Sequence, residues 1–272
     1  MSAAITARVH RLDVGLLDAI ESQTSVADRR SLLALHATML TMLRTFRYLE
    51  IGSHLGGSLQ ALVAEPGCTH ITSIDPRPLV QPDERPEIGY RWEYADNSTE
   101  RMLDLLGAVP GAHPGKITTI ELSTEDIDPG ALPHRPDLCF IDGEHTNRAA
   151  LRDAEFCLAA VGGRGVIAFH DAWVTSAGIR RFLDLAPEGT VGFTMPDGLF
   201  VADIGGRGLL DAPAIRDAMT RGRGGRLRLW VWEAANARRL HGRPVGLVLR
   251  MRYGPHAATV MRRLRALKHR LG

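Results

Sequence analysis

The sequence predicts an α/β fold: a doubly wound, mostly parallel sheet of seven strands, closed by an antiparallel hairpin and followed by a basic C-terminal extension. Three observations predict it. Short apolar runs recur that are too brief for helices and free of polar interruption, as buried parallel strands are. They alternate with stretches of helical periodicity, the pattern of a parallel sheet covered on both faces. Two of the runs stop abruptly in acid and imidazole, Asp137-Leu-Cys-Phe-Ile-Asp-Gly-Glu-His145 and Val166-Ile-Ala-Phe-His-Asp171.

The elements follow in order. Asp28 to Arg44 has an amphipathic helical pattern, and Tyr48-Leu-Glu-Ile51 is the first strand. Gly52-Ser-His-Leu-Gly-Gly-Ser58 is a glycine-rich turn, and Leu59 to Ala64 begins a helix. His70 to Asp75 is the second strand. Pro76 to Pro86, rich in proline and charge, reads as a loop, with Gln81 to Gly89 a candidate lid. Ser98 caps a helix reaching Leu106, and Lys116 to Leu122 is the third strand. Leu138 to Ile141 is the fourth, Asn147 to Ala160 a helix stopped by Gly162-Gly163, and Gly165 to Phe169 the fifth. Gly178 to Leu185 reads as helix. Thr190 to Thr194 and Gly198 to Ile204 form the hairpin around Met195-Pro-Asp197. Beyond Gly205, Leu227 to Glu233 and Val245 to Tyr253 read as strands, and a last basic helix carries Val260, Met261, Leu264, Leu267 and Leu271 on one face.

Composition narrows the class. With 272 residues, 44% hydrophobic and 24% charged, the chain suits one sizeable domain with an appendage. There is no apolar run long enough to span a bilayer and no signal-peptide core near the N-terminus. Cys68, Cys139 and Cys157 fit no metal spacing and no even disulfide set, so a reduced, cytoplasmic protein is expected. Residues 221–272 hold 14 of the 33 Lys and Arg but a single acid, Glu233. A basic tail on an acidic body binds anions or packs on its own body or a second subunit, which makes a homodimer an expectation.

In a parallel sheet, ligands bind outside the carboxyl ends of the strands. Asp142, Glu144, His145, His170 and Asp171 therefore converge on one rim, a site for a divalent cation or for acid–base chemistry. At the other end of the sequence, the turn after Glu50 lets the backbone approach a ligand closely, and Asp75 is an acid at the next strand end that can accept ribose hydroxyls. The turn departs from G-x-G-x-x-G because Ser53-His-Leu separates its glycines, so a dinucleotide pyrophosphate fits poorly.

Leu49-Glu-Ile-Gly-Ser with Gly56-Gly-Ser resembles the first motif of the class I S-adenosylmethionine-dependent methyltransferases, which are Rossmann-like. The resemblance covers roughly residues 45–205. It implies that Glu50, Gly52, Ser53, Gly56, Gly57 and Ser58 hold the methionine half of S-adenosylmethionine, that Asp75 holds the ribose, and that Ser123, Thr124 and Glu125 flank the adenine. It divides the chain into an N-terminal helical segment or lid (1–44), a cofactor-binding core (45–210) and the basic extension (211–272).

Asp142-Gly-Glu-His145 followed by Phe169-His-Asp171 is similar to the metal-dependent O-methyltransferases of macrolide and aminocoumarin sugars and of mycobacterial mannosides. The resemblance implies Mg²⁺ held by Asp142 and Asp171, with His170 where those enzymes often carry a second acid, and Asp142 also beside the cofactor. Imidazole is softer than Mg²⁺ prefers, so Mn²⁺ is an alternative. An alcohol needs a base and an orienting cation to attack a sulfonium methyl. His145 is the first choice of base, Glu144 the second and His170 the third. Each also has a purely structural alternative: Asp142 or Asp171 as a helix cap, His145 as a helix neighbour, His170 as a packed histidine. Asp153 and Glu155 read as solvated. The expected reaction is methylation of a sugar hydroxyl on a small-molecule or glycan acceptor. A catechol acceptor is the alternative within the class, with His54, Tyr90, Trp92, Trp173 and Met195 as candidate pocket residues. A hydroxylase-like enzyme on the same scaffold is a second class. A nucleic-acid-binding protein using Arg221-Gly-Arg-Gly-Gly-Arg-Leu-Arg228 is a third, disfavoured because few aromatics accompany the arginines.

Overall fold

The computed structural model describes residues 2–219 and 225–241. Helices α1 (Ser2–His10) and α2 (Val26–Leu43) precede the sheet. Ser25 starts α2 through a capping box: its hydroxyl accepts from the Asp28 amide at 3.1 Å and its own amide donates to the Asp28 carboxylate at 3.1 Å. Then come β1 (Phe46–Ile51), α3 (Gln60–Ala64), β2 (Cys68–Ile74), β3 (Val80–Pro82), β4 (Arg91–Glu93), α4 (Thr99–Gly107) and β5 (Ile117–Ile120). The second half adds β6 (Leu138–Ile141), α5 (Asn147–Val161), β7 (Gly165–Phe169), α6 (Ser176–Leu185), β8 (Val191–Thr194), β9 (Phe200–Ile204), α7 (Pro213–Ala218) and α8 (Gly225–His241).

Seven strands form one sheet in the order β5-β2-β1-β6-β7-β9-β8. The first four pairings are parallel, while β9 runs antiparallel to β7 and β8. Side chains alternate with the period of two that a strand imposes. Tyr48, Leu138, Phe140, Val166, Ala168 and Val201 enter one core with α2 and α3. Leu49, Ile51, Cys139, Ile141, Ile167 and Phe169 enter the other with α5 and α6. Both faces are thus covered, which is why these strands read as continuous apolar runs. The three cysteines are free and buried. No helix of the described residues is long and apolar enough to cross a membrane.

Strand order reverses between β1 and β6, which pair in register from Tyr48↔Leu138 to Ile51↔Ile141. Their carboxyl ends therefore abut. Gly52 has φ +85°, and a Cβ there would lie 2.3 Å from the Asp142 carbonyl oxygen. This position admits glycine alone, and it fixes the mouth of the ligand crevice at the switch point.

Two expectations are corrected. The segment Pro76 to Pro86 is not simply a loop: β3 pairs with β4 as a small antiparallel sheet whose connection docks onto the rim. Leu227 to Glu233 is not a strand but lies inside α8, where Leu229, Trp232 and Glu233 share one face at helical spacing. Arg180 of α6 donates to Glu233 at 2.8 Å. The strand expected at Val245 to Tyr253 and the last basic helix lie outside the described residues. So do residues 221–224, the first half of the arginine–glycine stretch on which the nucleic-acid expectation rests.

Candidate active site

A cavity of about 380 Å³ opens at the carboxyl ends of β1, β6 and β7. Gly52, Ser53, Gly57, Ser58, Asp142, His145, His170 and Asp171 line it. Asp142, His145 and His170 each offer one ligand atom, and those atoms all lie within 4.8 Å of one another. His170 Nδ1 lies 2.9 Å from Asp142 Oδ1, and its Nε2 lies 3.4 Å from Asp28 Oδ2 of α2. His145 Nε2 is 3.7 Å from Asp142 Oδ1 and 3.8 Å from Asp171 Oδ2. Close as these are, none is aligned as a hydrogen bond: His145 Nε2 and both nitrogens of His170 are buried without a hydrogen-bond partner.

Electrostatics reflect the crowd of acids. Burial opposes charge on His145, but the hydrogen bond with Asp83 and the nearby carboxylates of Asp142 and Asp171 outweigh it and push the imidazole up to about 9. His170 is likewise raised well above its usual range: burial lowers it, and the carboxylates of Asp142, Asp28 and Asp171 prevail. Asp142 is lowered despite its burial, by the two imidazoles. Protons on His145 and His170 thus balance the surrounding carboxylates. Asp142, His145 and His170 are also residues that could hold a divalent cation, since each offers one ligand atom at the same place.

The glycine turn is braced from behind. Glu50 is 1% exposed and does not line the cavity. Its oxygens accept from Ser58 Oγ at 2.5 Å and from the Tyr48 hydroxyl at 2.7 Å. Burial first, then the charges of Asp142 and Asp75, push its carboxyl up to about 8 against those two hydrogen bonds. Asp75 also stands behind the wall: it accepts from the His54 and Arg77 amides at 2.9 and 2.8 Å, and Arg77 Nη1 lies 3.3 Å away. Gly56, at φ +82°, packs against Leu106 instead of the cavity.

A second cavity of about 250 Å³ lies on the other side of Gly52, which lines both. Ser123, Thr124, Glu125 and Glu144 line it. Glu144 therefore faces away from the cluster, and its carboxylate accepts from Thr146 Oγ1 at 2.7 Å. The expectation of Glu144 as a base is corrected on that ground. The expectation that Asp153 is solvated is corrected too. It is 1% exposed, accepts from Thr124 Oγ1 at 2.5 Å, and leaves Oδ2 unpartnered beside this cavity. Glu155 is exposed, as read.

Of the five candidate pocket residues, His54 and Trp92 line the first cavity. Met195 is 1% exposed within the core, Tyr90 is 55% exposed, and Trp173 Nε1 donates to Asp171 Oδ1 at 3.2 Å. Sequence reasoning missed Asp28, Asp83, Arg85 and Tyr94. Asp83-Glu84-Arg85 gave the signal of a solvated charge run, yet Asp83 is 3% exposed and Arg85 bridges Asp83 and Asp171 at 2.6 and 3.0 Å.

Residues 49–172 match the family described as a methyltransferase domain. No curated protein matches the chain. Similar solved structures include CalS11, a calicheamicin methyltransferase, with 16% identity and a TM-score of 0.49 over 75% of this chain and 92% of that one. Cofactor-bound Rv0187 from MTB shows 15% identity and a TM-score of 0.46 over 74% and 88%. The O-methyltransferase TomG from Streptomyces achromogenes, solved with S-adenosylmethionine, shows 18% identity and a TM-score of 0.44 over 75% and 89%. The family match begins inside β1 and ends just past Asp171, so the part of the chain that is similar to a methyltransferase domain takes in both the glycine turn and the acid–imidazole cluster.

Proposed function

We propose that the protein transfers the methyl group of S-adenosylmethionine to a hydroxyl of a sugar, on a small molecule or a glycan, with a divalent cation held by Asp142, His170 and Asp171. The observation that carries this reading is the convergence of Asp142, His145 and His170 within 4.8 Å beside the glycine turn. Ser22, Gln23, Thr24, Ser25 and Asp197 line the same cavity, as do Trp92 and Tyr94. Hydroxyl, amide and carboxylate groups together with aromatic rings suit a polyol ring. A flat apolar catechol would want methionine beside tryptophan, and Met195 is buried in the core and does not line the cavity.

Gly52 lines both cavities, so the cofactor would be held from both sides of it. Ser53, Gly57 and Ser58 would hold its methionine end, with the Glu50 carboxyl behind them to answer the ammonium. Ser123 and Thr124 would flank its adenine, and the unpartnered Asp153 Oδ2 would accept from the exocyclic amine. Residues 21–28 roof the acceptor end, which gives the N-terminal segment the role of a lid. Asp142, His170 and Asp171 would hold the cation, Mg²⁺ or the imidazole-tolerant Mn²⁺, whose charge would lower the pKa of a bound hydroxyl and favour the neutral form of His145. His145 Nε2 then removes the hydroxyl proton as the oxygen takes the methyl group.

Asp142→Ala and Asp171→Ala test this. Each is expected to abolish turnover while cofactor affinity, read by calorimetry, stays within a few-fold. Wild-type turnover in either variant removes the cation's role. A second reading draws on one observation: two histidines and one carboxylate are also the set that holds ferrous iron in oxygenases. Oxygen uptake with product hydroxylation, and no methyl transfer, would select it.

A further inference from the structure

We propose that Asp83 is the positioning residue of His145, holding the imidazole by Nδ1 so that Nε2 faces the cavity, and that the connection between β3 and β4 must be seated for the base to be complete. This rests on the reading of His145 as the base. Asp83 Oδ2 lies 3.0 Å from His145 Nδ1. Arg85 Nη2 is also 3.0 Å from that nitrogen, but a guanidinium only donates, and its 2.6 Å bond goes to Asp83 Oδ2. The Asp83 carboxylate can only accept, so its contact with Nδ1 assigns the hydrogen to that nitrogen. Nε2 is left without a hydrogen-bond partner, between Asp142 and Asp171.

The placement of Asp83 is fixed by the backbone as well. Asp83 and His145 form an isolated parallel bridge, and the Glu84 amide donates to the His145 carbonyl at 3.0 Å. Glu84 in turn accepts from the Asn147 amide at 2.7 Å and from the Asn147 side-chain amide, locking the connection onto the start of α5. Arg85 then ties Asp83 to Asp171. A hairpin from elsewhere in the chain so delivers one carboxylate to the far side of the imidazole.

The chemistry needs such a group. The acceptor O–H bond breaks, its proton goes to Nε2, and the oxygen forms a bond to the methyl carbon. The sulfonium sulfur keeps the electron pair of the breaking C–S bond and leaves as a neutral thioether. An imidazole accepts at Nε2 only in the tautomer with hydrogen on Nδ1, and a carboxylate there sets both tautomer and ring angle.

The test uses Asp83→Ala, Asp83→Asn and Glu84→Ala in the full chain with cation present. Asp83→Ala is expected to lower kcat by about 10–100-fold, the usual range for partners that orient a first ligand or base, with KM for S-adenosylmethionine unchanged. Asn keeps an oxygen acceptor and is expected to recover part of the loss, as is added formate in Asp83→Ala. Independently of turnover, ¹⁵N-histidine spectra at alkaline pH should show His145 as the Nδ1–H tautomer, lost in Asp83→Ala; His145→Gln assigns the signal. An unchanged tautomer in Asp83→Ala overturns the proposal, as does an equal kinetic loss in Glu84→Ala without formate rescue in Asp83→Ala. The expected tautomer change with no methyl transfer to any acceptor upholds the positioning role and removes the proposed reaction instead.

Discussion

Replacing Glu50 by glutamine isolates the cost of keeping a carboxyl under the glycine turn. The side chain is 1% exposed, with two hydroxyl donors against it, and burial pushes its carboxyl up to about 8 from the ordinary 4.5. The native state therefore binds a proton that the unfolded chain releases. Stability must fall as pH rises from the unfolded value toward the folded one, and flatten above it. The gap between 4.5 and about 8, at about 1.4 kcal/mol for each pH unit, corresponds to roughly 5 kcal/mol over the whole window. Between about pH 5.5 and about pH 7.5 the expected loss is roughly 2–3 kcal/mol. Urea unfolding followed by circular dichroism at both pH values reads it. Glutamine keeps the shape and an acceptor oxygen, so the variant should lose that slope while the slopes due to His145 and His170 remain in both proteins. Identical pH dependence in wild type and variant would refute the reasoning, because Glu50 would then be ionised in the native state. The proposed cofactor places an ammonium over this acid, so its binding near neutral pH should release a proton, which the variant cannot do.

Other outcomes are expected of the same geometry. Gly52→Ala must clear 2.3 Å between its Cβ and the Asp142 carbonyl at φ +85°, so cofactor binding should fall beyond detection while circular dichroism stays native-like. Asp153→Ala should weaken S-adenosylmethionine binding about tenfold or more, the scale of a hydrogen bond to a charged group, with kcat at saturation retained; unchanged affinity would remove Asp153 from the adenine site. Cation binding must displace protons from His145 and His170, both raised. Mn²⁺ affinity should therefore rise with pH through neutrality and up toward about 9, and calorimetry in buffers of different ionisation enthalpy should report proton release. A pH-independent affinity would mean that the imidazoles are not protonated at the site.

The parallel strands were legible because burial on both faces leaves an unbroken apolar run: Leu138 to Ile141 and Gly165 to Phe169 are the observed β6 and β7. The rim residues after them were legible for the same reason, since a polar cluster at a strand end has few other places to go. The β3–β4 hairpin was not. Its strands are three residues long and flanked by proline and charge, the pattern of a solvated loop. Nothing local says that Asp83 meets His145, 62 residues away. Glu144 and His145 show the converse limit. They are adjacent in sequence, and only the turn into α5 decides that one faces the first cavity and the other the second. Leu227 to Glu233 misled because a short apolar run has no period of its own; α6 supplies the surface that makes it helical.

The central claim is metal-assisted methyl transfer to a sugar hydroxyl, and the most direct measurement is transfer of labelled methyl from S-adenosylmethionine to monosaccharides, short glycans and catechols, with Mg²⁺ or Mn²⁺ and again with EDTA. The account predicts label in a sugar or glycan with cation present and none with EDTA. Label that enters a sugar equally well in EDTA, or enters only the catechols, would contradict it.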